Sequence, residues 1–191
     1  MSTDVRPAPA RKRDKRSAII EAAQFLFLRQ GFAGTTMEAI AREAHVAKPT
    51  LYAHFPDKDA VFDGVASNML ATMRQLVVET MDTDGSAAEV IARALAAKYA
   101  MMNSVLFQSP FAEELMGEQS RRSGTQVAGL EAEIEAMFTA RLASEGYDQP
   151  GLLARTAIGA AGGIASRFGV SPEAGDAIQL GVRKILVREG G

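Results

Sequence analysis

The sequence predicts an all-α protein of about nine helices. Apolar residues recur at three- and four-residue spacing along most of the chain, and no stretch shows the strict alternation of a half-buried strand. Glycine and proline fall where those periodic runs end. Hydrophobic residues make up 47% of the 191, enough to build a globular core.

The first helix is expected over about 14–30, where Ile19, Ala22, Ala23, Leu26 and Phe27 form one stripe and "QGF" at Gln30–Phe32 supplies a stop. A short second helix opens in "TTMEAIAREA". Thr35 stands three residues before Glu38, the spacing at which each side chain can satisfy a free backbone N–H at a helix start. Met37, Ile40, Ala41 and Ala44 form its inner face. His45 lies where a tight turn needs a positive φ, which histidine tolerates, so it reads as a turn residue rather than a ligand or base.

The third helix is led by Pro49, whose missing N–H costs nothing in a first turn. Lys48, restricted by the following proline, is pushed to its front. Leu51 and Phe55 face inward with Val46, while Thr50, Ala53 and His54 share the opposite face with Tyr52 at its flank. Two short helices joined by a three-residue turn, the second polar and basic in front, have the pattern of a helix-turn-helix. Asp57 can cap a fourth helix. Lys58, in its first turn, is poorly placed against the helix dipole, a penalty that a nearby phosphate would remove; it otherwise reads as a surface lysine.

Charge is uneven along the chain. Residues 1–58 hold ten Lys or Arg against six Asp or Glu, a balance of +4, and the remainder balances to −6. "RPAPARKRDKR", Arg6–Arg16, carries six basic residues and the single acid Asp14, and serves either solubility or contact with a polyanion.

The segment "GFAGTTMEAIAREAHVAKPTLYAHFPDKDAVF", Gly31–Phe62, resembles the DNA-binding head of the TetR family of bacterial transcriptional regulators. The glycine-aromatic pair, the double threonine, "IA", "TLY", "HF" and the following lysine stand at that family's spacing. By this resemblance Thr36, Tyr52, His54 and Lys58 match positions that hold backbone phosphates, and Lys48, Pro49 and Thr50 match recognition-helix positions near bases or flanking phosphates. Two departures stand out: His45 replaces the usual glycine, and Ala47 replaces a serine or threonine that would cap the helix. The second shifts weight to the arm residues Arg11, Lys12, Arg13 and Arg16, which can lie along phosphates or enter the minor groove.

Further helices are expected over about 57–81, 86–103, 110–120, 126–144, 151–168 and 171–188, with loops at "SRRSG", "EGYDQPG" and "GVSP". Gly159, Gly162 and Gly163 on a predicted helix each cost roughly 1 kcal/mol relative to alanine unless another backbone packs closely there. The resemblance implies that this helix and the last one pair across a two-fold axis; close packing within the chain is the other reading. Tyr99, Met102, Leu106, Phe107, Phe111, Leu115, Met116, Met137 and Phe138 are candidates to line a ligand pocket, or else form ordinary core.

Composition excludes several classes. There is no cysteine, so no disulfide framework, thiolate site or cysteine nucleophile exists. Both histidines lie in the head without an HxxxH or HExxH partner, and "EAEIE", Glu131–Glu135, reads as a solvated helix face. Neither an enzyme nor a metal or cofactor site is expected. No signal peptide or run of roughly 18 apolar residues is present, which points to the cytoplasm and away from membranes.

The expected organisation is a basic arm over 1–13, a helix-turn-helix domain over 14–58, and a helical ligand-binding and dimerisation domain over 59–191. The expected function is a homodimeric regulator, a repressor reading a palindromic operator in double-stranded DNA and released by a small hydrophobic or aromatic effector. The alternative is a DNA-bound adaptor of the same fold that contacts a protein partner and senses no small molecule.

Overall fold

The computed structural model describes residues 14–106, 109–169, 171 and 173–187, with backbone alone at 105, 106 and 123. The described residues form helices and no strands: α1 Lys15–Gly34, α2 Met37–Glu43, α3 Lys48–His54, α4 Lys58–Met81, α5 Ala87–Leu106, α6 Ala112–Ser144, α7 Pro150–Phe168 and α8 Glu173–Ile185. The first is broken at Gly31, so the described residues form nine helical pieces. Gly31 has φ 74°, and a Cβ there would stand 2.8 Å from the Phe111 ring, so both conformation and space require glycine.

Two buried clusters organise the molecule. The first joins Ile19, Ala23 and Phe27 of α1, Ile40 of α2, Leu51 and Phe55 of α3, and Val61, Phe62 and Val65 of α4, with Leu115 from α6. Phe27, Phe32 and Phe62 meet with ring centroids 5.3–5.7 Å apart and tilted or edge-on, the arrangement their quadrupoles favour. The second cluster unites α4–α8 around Ile91, Leu95, Ile134, Phe138, Ile178 and Val182. There α7 contributes a buried row of small residues, Ala154, Ala157, Ala161 and Ala165, which lets its neighbours approach closely.

One expectation changes. The predicted pieces over 110–120 and 126–144 are a single 33-residue helix, α6, running through "SRRSG". Local propensity is poor there, but Arg121 and Arg122 both pair with Glu118 one turn earlier, and Arg122 also bonds to Asp59 on α4 at 2.7 Å. Packing of α6 on α1, α4 and α7 supplies the remaining support.

Candidate nucleic-acid interface and internal cavity

The α2–α3 unit is set by its backbone. The N-cap of α2 is Thr36, whose Oγ1 accepts the Ala39 N–H at 3.2 Å. The cap expected at Thr35 is thus displaced by one residue, because the Thr35 hydroxyl is buried and donates to the Gly31 carbonyl at 2.7 Å. Glu38 is free to pair with Lys48 at 3.1 Å. Its carboxyl is held below the usual range, first by its own backbone N–H and then by the Lys48 ammonium.

His45 adopts φ 53°, as its position in the turn predicts. The Val46 N–H bonds to Ala41 O at 3.0 Å and the His45 N–H to Arg42 O at 3.2 Å, the paired closure of a helix ending on a left-handed residue. α3 begins at Lys48, one residue ahead of the proline; with Pro49 second, the absent N–H is still one of the orphan donors of a first turn. Leu51 is 0% and Phe55 4% exposed, whereas Tyr52 is 47% exposed and Lys48, Pro49 and His54 are also open to solvent. Thr50 is half-buried. Arg16 lies over the Phe55 ring, 5.2 Å from its centroid, while Arg11, Lys12 and Arg13 lie outside the described residues.

Lys58 has partners within the chain that neither sequence reading named. Its ammonium donates to Phe32 O at 2.7 Å and Thr35 O at 2.9 Å and sits 4.3 Å from the Phe32 ring centroid. The carbonyl end of α1 thus answers the charge that opposes the α4 dipole, leaving one of three N–H donors for an outside partner. α6 and the segment leading into it grip the same end of α1: Glu114 Oε1 accepts the Ala33 N–H at 2.9 Å, Ser109 donates to Leu28 O at 2.6 Å, and the Arg122 guanidinium lies 5.3 Å from the Phe32 ring centroid. None of these long-range partners is visible in a local pattern.

A cavity of about 450 Å³ opens between α4, α5 and α6. Tyr99, Met102 and Met116 line it, as do Met69, Leu70, Met73, Lys98, Val127, Leu130 and Glu131, which sequence reasoning passed over. The other candidates sit elsewhere. Phe111 and Leu115 pack on the head cluster, and Phe138 and Met137 belong to the body core. Phe107 and the Leu106 side chain lie outside the described residues. A signal for Lys98 did exist: it is the one charge in "ALAAKYAMM", Ala94–Met102.

The three glycines of α7 also part company. Around Gly159 and Gly163 a Cβ would meet open space, but at Gly162 it would stand 2.9 Å from the Tyr99 hydroxyl. Gly162 therefore serves packing inside the chain, and only Gly159 and Gly163 remain on the outer face.

Residues 19–65 match the family model for bacterial regulatory proteins of the tetR family. Over these residues the chain carries the head of the tetR family of bacterial regulatory proteins. It is 36% identical over 82 residues to the uncharacterized HTH-type transcriptional regulator YhgD of Bacillus subtilis (strain 168), a stretch covering 43% of each protein, so the match spans less than half of that relative. Among solved structures it resembles a TetR-family transcription regulator from Shewanella sp. PV-4, with 26% identity, TM-score 0.57, and 90% of this chain covering 93% of that one. It also resembles the multidrug binding protein EbrR complexed with imidazole, with 18% identity, TM-score 0.64, and 94% covering 98%. TetR-family proteins are transcriptional regulators, not enzymes. Among the described residues no cluster of His, Asp or Glu is arranged to hold a metal, and no helix is long and apolar enough to cross a membrane.

Proposed function

We propose that this chain is a homodimeric, sequence-specific DNA-binding regulator of the TetR family, a repressor released from a palindromic operator by a small hydrophobic or aromatic effector. The observation that carries the reading is α3, anchored by buried Leu51 and Phe55 while Lys48, Pro49 and Tyr52 stand open for a major groove. Thr36, His54 and the remaining donor of Lys58 would hold phosphates, and Thr50 the groove edge. The arm over 1–13, a head over 14–58 and a body over 59–191 follow, although the head core also draws on the first two turns of α4. A cytoplasmic location goes with this reading.

Exposed Leu152 and Phe168 on α7, Leu180 on α8 and Val187 just past its end, together with open Gly159 and Gly163, support dimerisation through these helices. Two heads would then meet successive major grooves about 34 Å apart. The cavity favours effector control over the adaptor alternative, whose mark would be a filled core. EbrR, of the same fold, is a multidrug binding protein. Both α4 and α6 line the cavity and both grip the head, through Lys58 and through Glu114 and Arg122. An effector that shifts either helix changes the spacing of the two α3 helices, and so weakens DNA binding. The test is to select bound fragments from the host genome and screen small molecules for release of the tightest. Failure to enrich any fragment would overturn DNA reading, and enrichment without release by any compound would favour the adaptor.

A further inference from the structure

The cavity carries a feature that apolar storage does not need. Lys98 is only 5% exposed and lies on its wall. Among the described residues its ammonium has two partners: a Glu131 carboxylate oxygen at 3.9 Å, the outer limit of an ion pair, and the Tyr99 ring, whose centroid is 4.9 Å away. Both belong to residues that line the same space. Glu131 is 56% exposed, so water screens its charge and it offsets little of the cost of burying an ammonium. Burial lowers the Lys98 pKa from its ordinary value, with Glu131 opposing weakly. A buried cation without a close acceptor is an expensive feature that a bound anion would relieve.

We propose that the cavity selects an amphiphilic monocarboxylate, its carboxylate on Lys98 and its apolar body among Met69, Met73, Met102, Met116 and Val127. This rests on the reading of the cavity as the effector site. The remaining lining sets the charge and the shape. Glu131 would repel a second negative charge, and among the described residues no arginine stands on the wall to grip a phosphate bidentately. Gln119 and Ser120 are among the uncharged polar groups of the lining that a second carboxylate oxygen could use. Flexible methionines accept either an alkyl chain or a ring.

The test measures affinity of the full-length protein, by calorimetry, for decanoate and 4-phenylbutyrate, each beside its methyl ester and the amine of equal length. At least one acid is expected to bind roughly tenfold or more tightly than its ester, with the amine weakest. Lys98→Met, which keeps length and removes charge, should abolish that preference by weakening the acid while leaving the ester unchanged. Lys98→Gln should do the same, and both should melt no lower than the parent. Esters binding as well as acids, or a preference that survives Lys98→Met, would overturn the carboxylate assignment and leave the cavity as an effector site. Absence of binding by every acid, ester and amine would overturn both.

Discussion

The head turns the polar side chains of α3 outward, while the body buries a lysine on the wall of an apolar cavity. Tyr52 and Lys48 stand in solvent on a helix whose other face is sealed by Leu51 and Phe55. Lys98 is buried, and among the described residues its nearest anion is Glu131 at 3.9 Å. The difference teaches how each region can answer a ligand. The exposed contacts of α3 can be lost with little change in folding, whereas the buried ammonium of the cavity carries a cost, so a ligand that relieves it should stabilise the body and move the helices around it.

The largest expected effect separates the two regions. Leu51→Ala removes a fully buried side chain from the head and should cost about 2–5 kcal/mol, abolishing DNA binding while effector binding in the body survives. Denaturation followed beside calorimetry checks this. Loss of both activities together would mean that head and body fold as one unit and would blur the comparison.

Next come the exposed contacts. Lys48→Ala should weaken DNA binding by about 1–3 kcal/mol and relax preference at one operator position, with melting unchanged because its pair with Glu38 is solvent-exposed. Lys58→Ala should behave differently. It removes two bonds to the end of α1, so stability should fall by roughly 1–3 kcal/mol as DNA affinity drops for all sequences alike and the salt slope declines by about one counterion. Melting curves and salt titrations of both variants distinguish a contact from a joint.

Smaller changes sharpen the account of α7. Gly159→Ala and Gly163→Ala add a methyl to open space and favour the helix by up to roughly 1 kcal/mol, yet should weaken the dimer if a partner backbone lies there. Gly162→Ala should instead disturb Tyr99 and effector affinity without touching dimerisation. Sedimentation over a concentration series separates them. The smallest effect is expected from His45→Gly, which relieves a left-handed histidine and should raise stability by about 1 kcal/mol or less in thermal melts.

The head was legible because its constraints are local. A proline in a first turn, a histidine at a left-handed turn and an aspartate cap each act within a few residues of themselves, and the structure keeps all three. Where two neighbouring threonines offered the same hydroxyl, the pattern could not choose, and burial of Thr35 assigned the cap to Thr36. The bonds of Lys58 are hidden from the sequence because its answering carbonyls lie 23 and 26 residues away. In the body, periodicity marks a residue as inward-facing but cannot say whether it meets a neighbour or a void. Phe138 and Met102 carry the same signal, yet one is core and the other cavity wall. The continuity of α6 was hidden for a related reason, since tertiary packing overrides the weak propensity of "SRRSG".

The most direct measurement is a salt titration of the parent and the Lys48→Ala, Tyr52→Ala double variant against the tightest genomic fragment and a scrambled duplex. Both proteins should melt alike, but the double variant should bind the two duplexes with nearly equal, weak affinity. A double variant that still prefers the genomic fragment as strongly as the parent, at every salt concentration, would show that α3 does not read DNA.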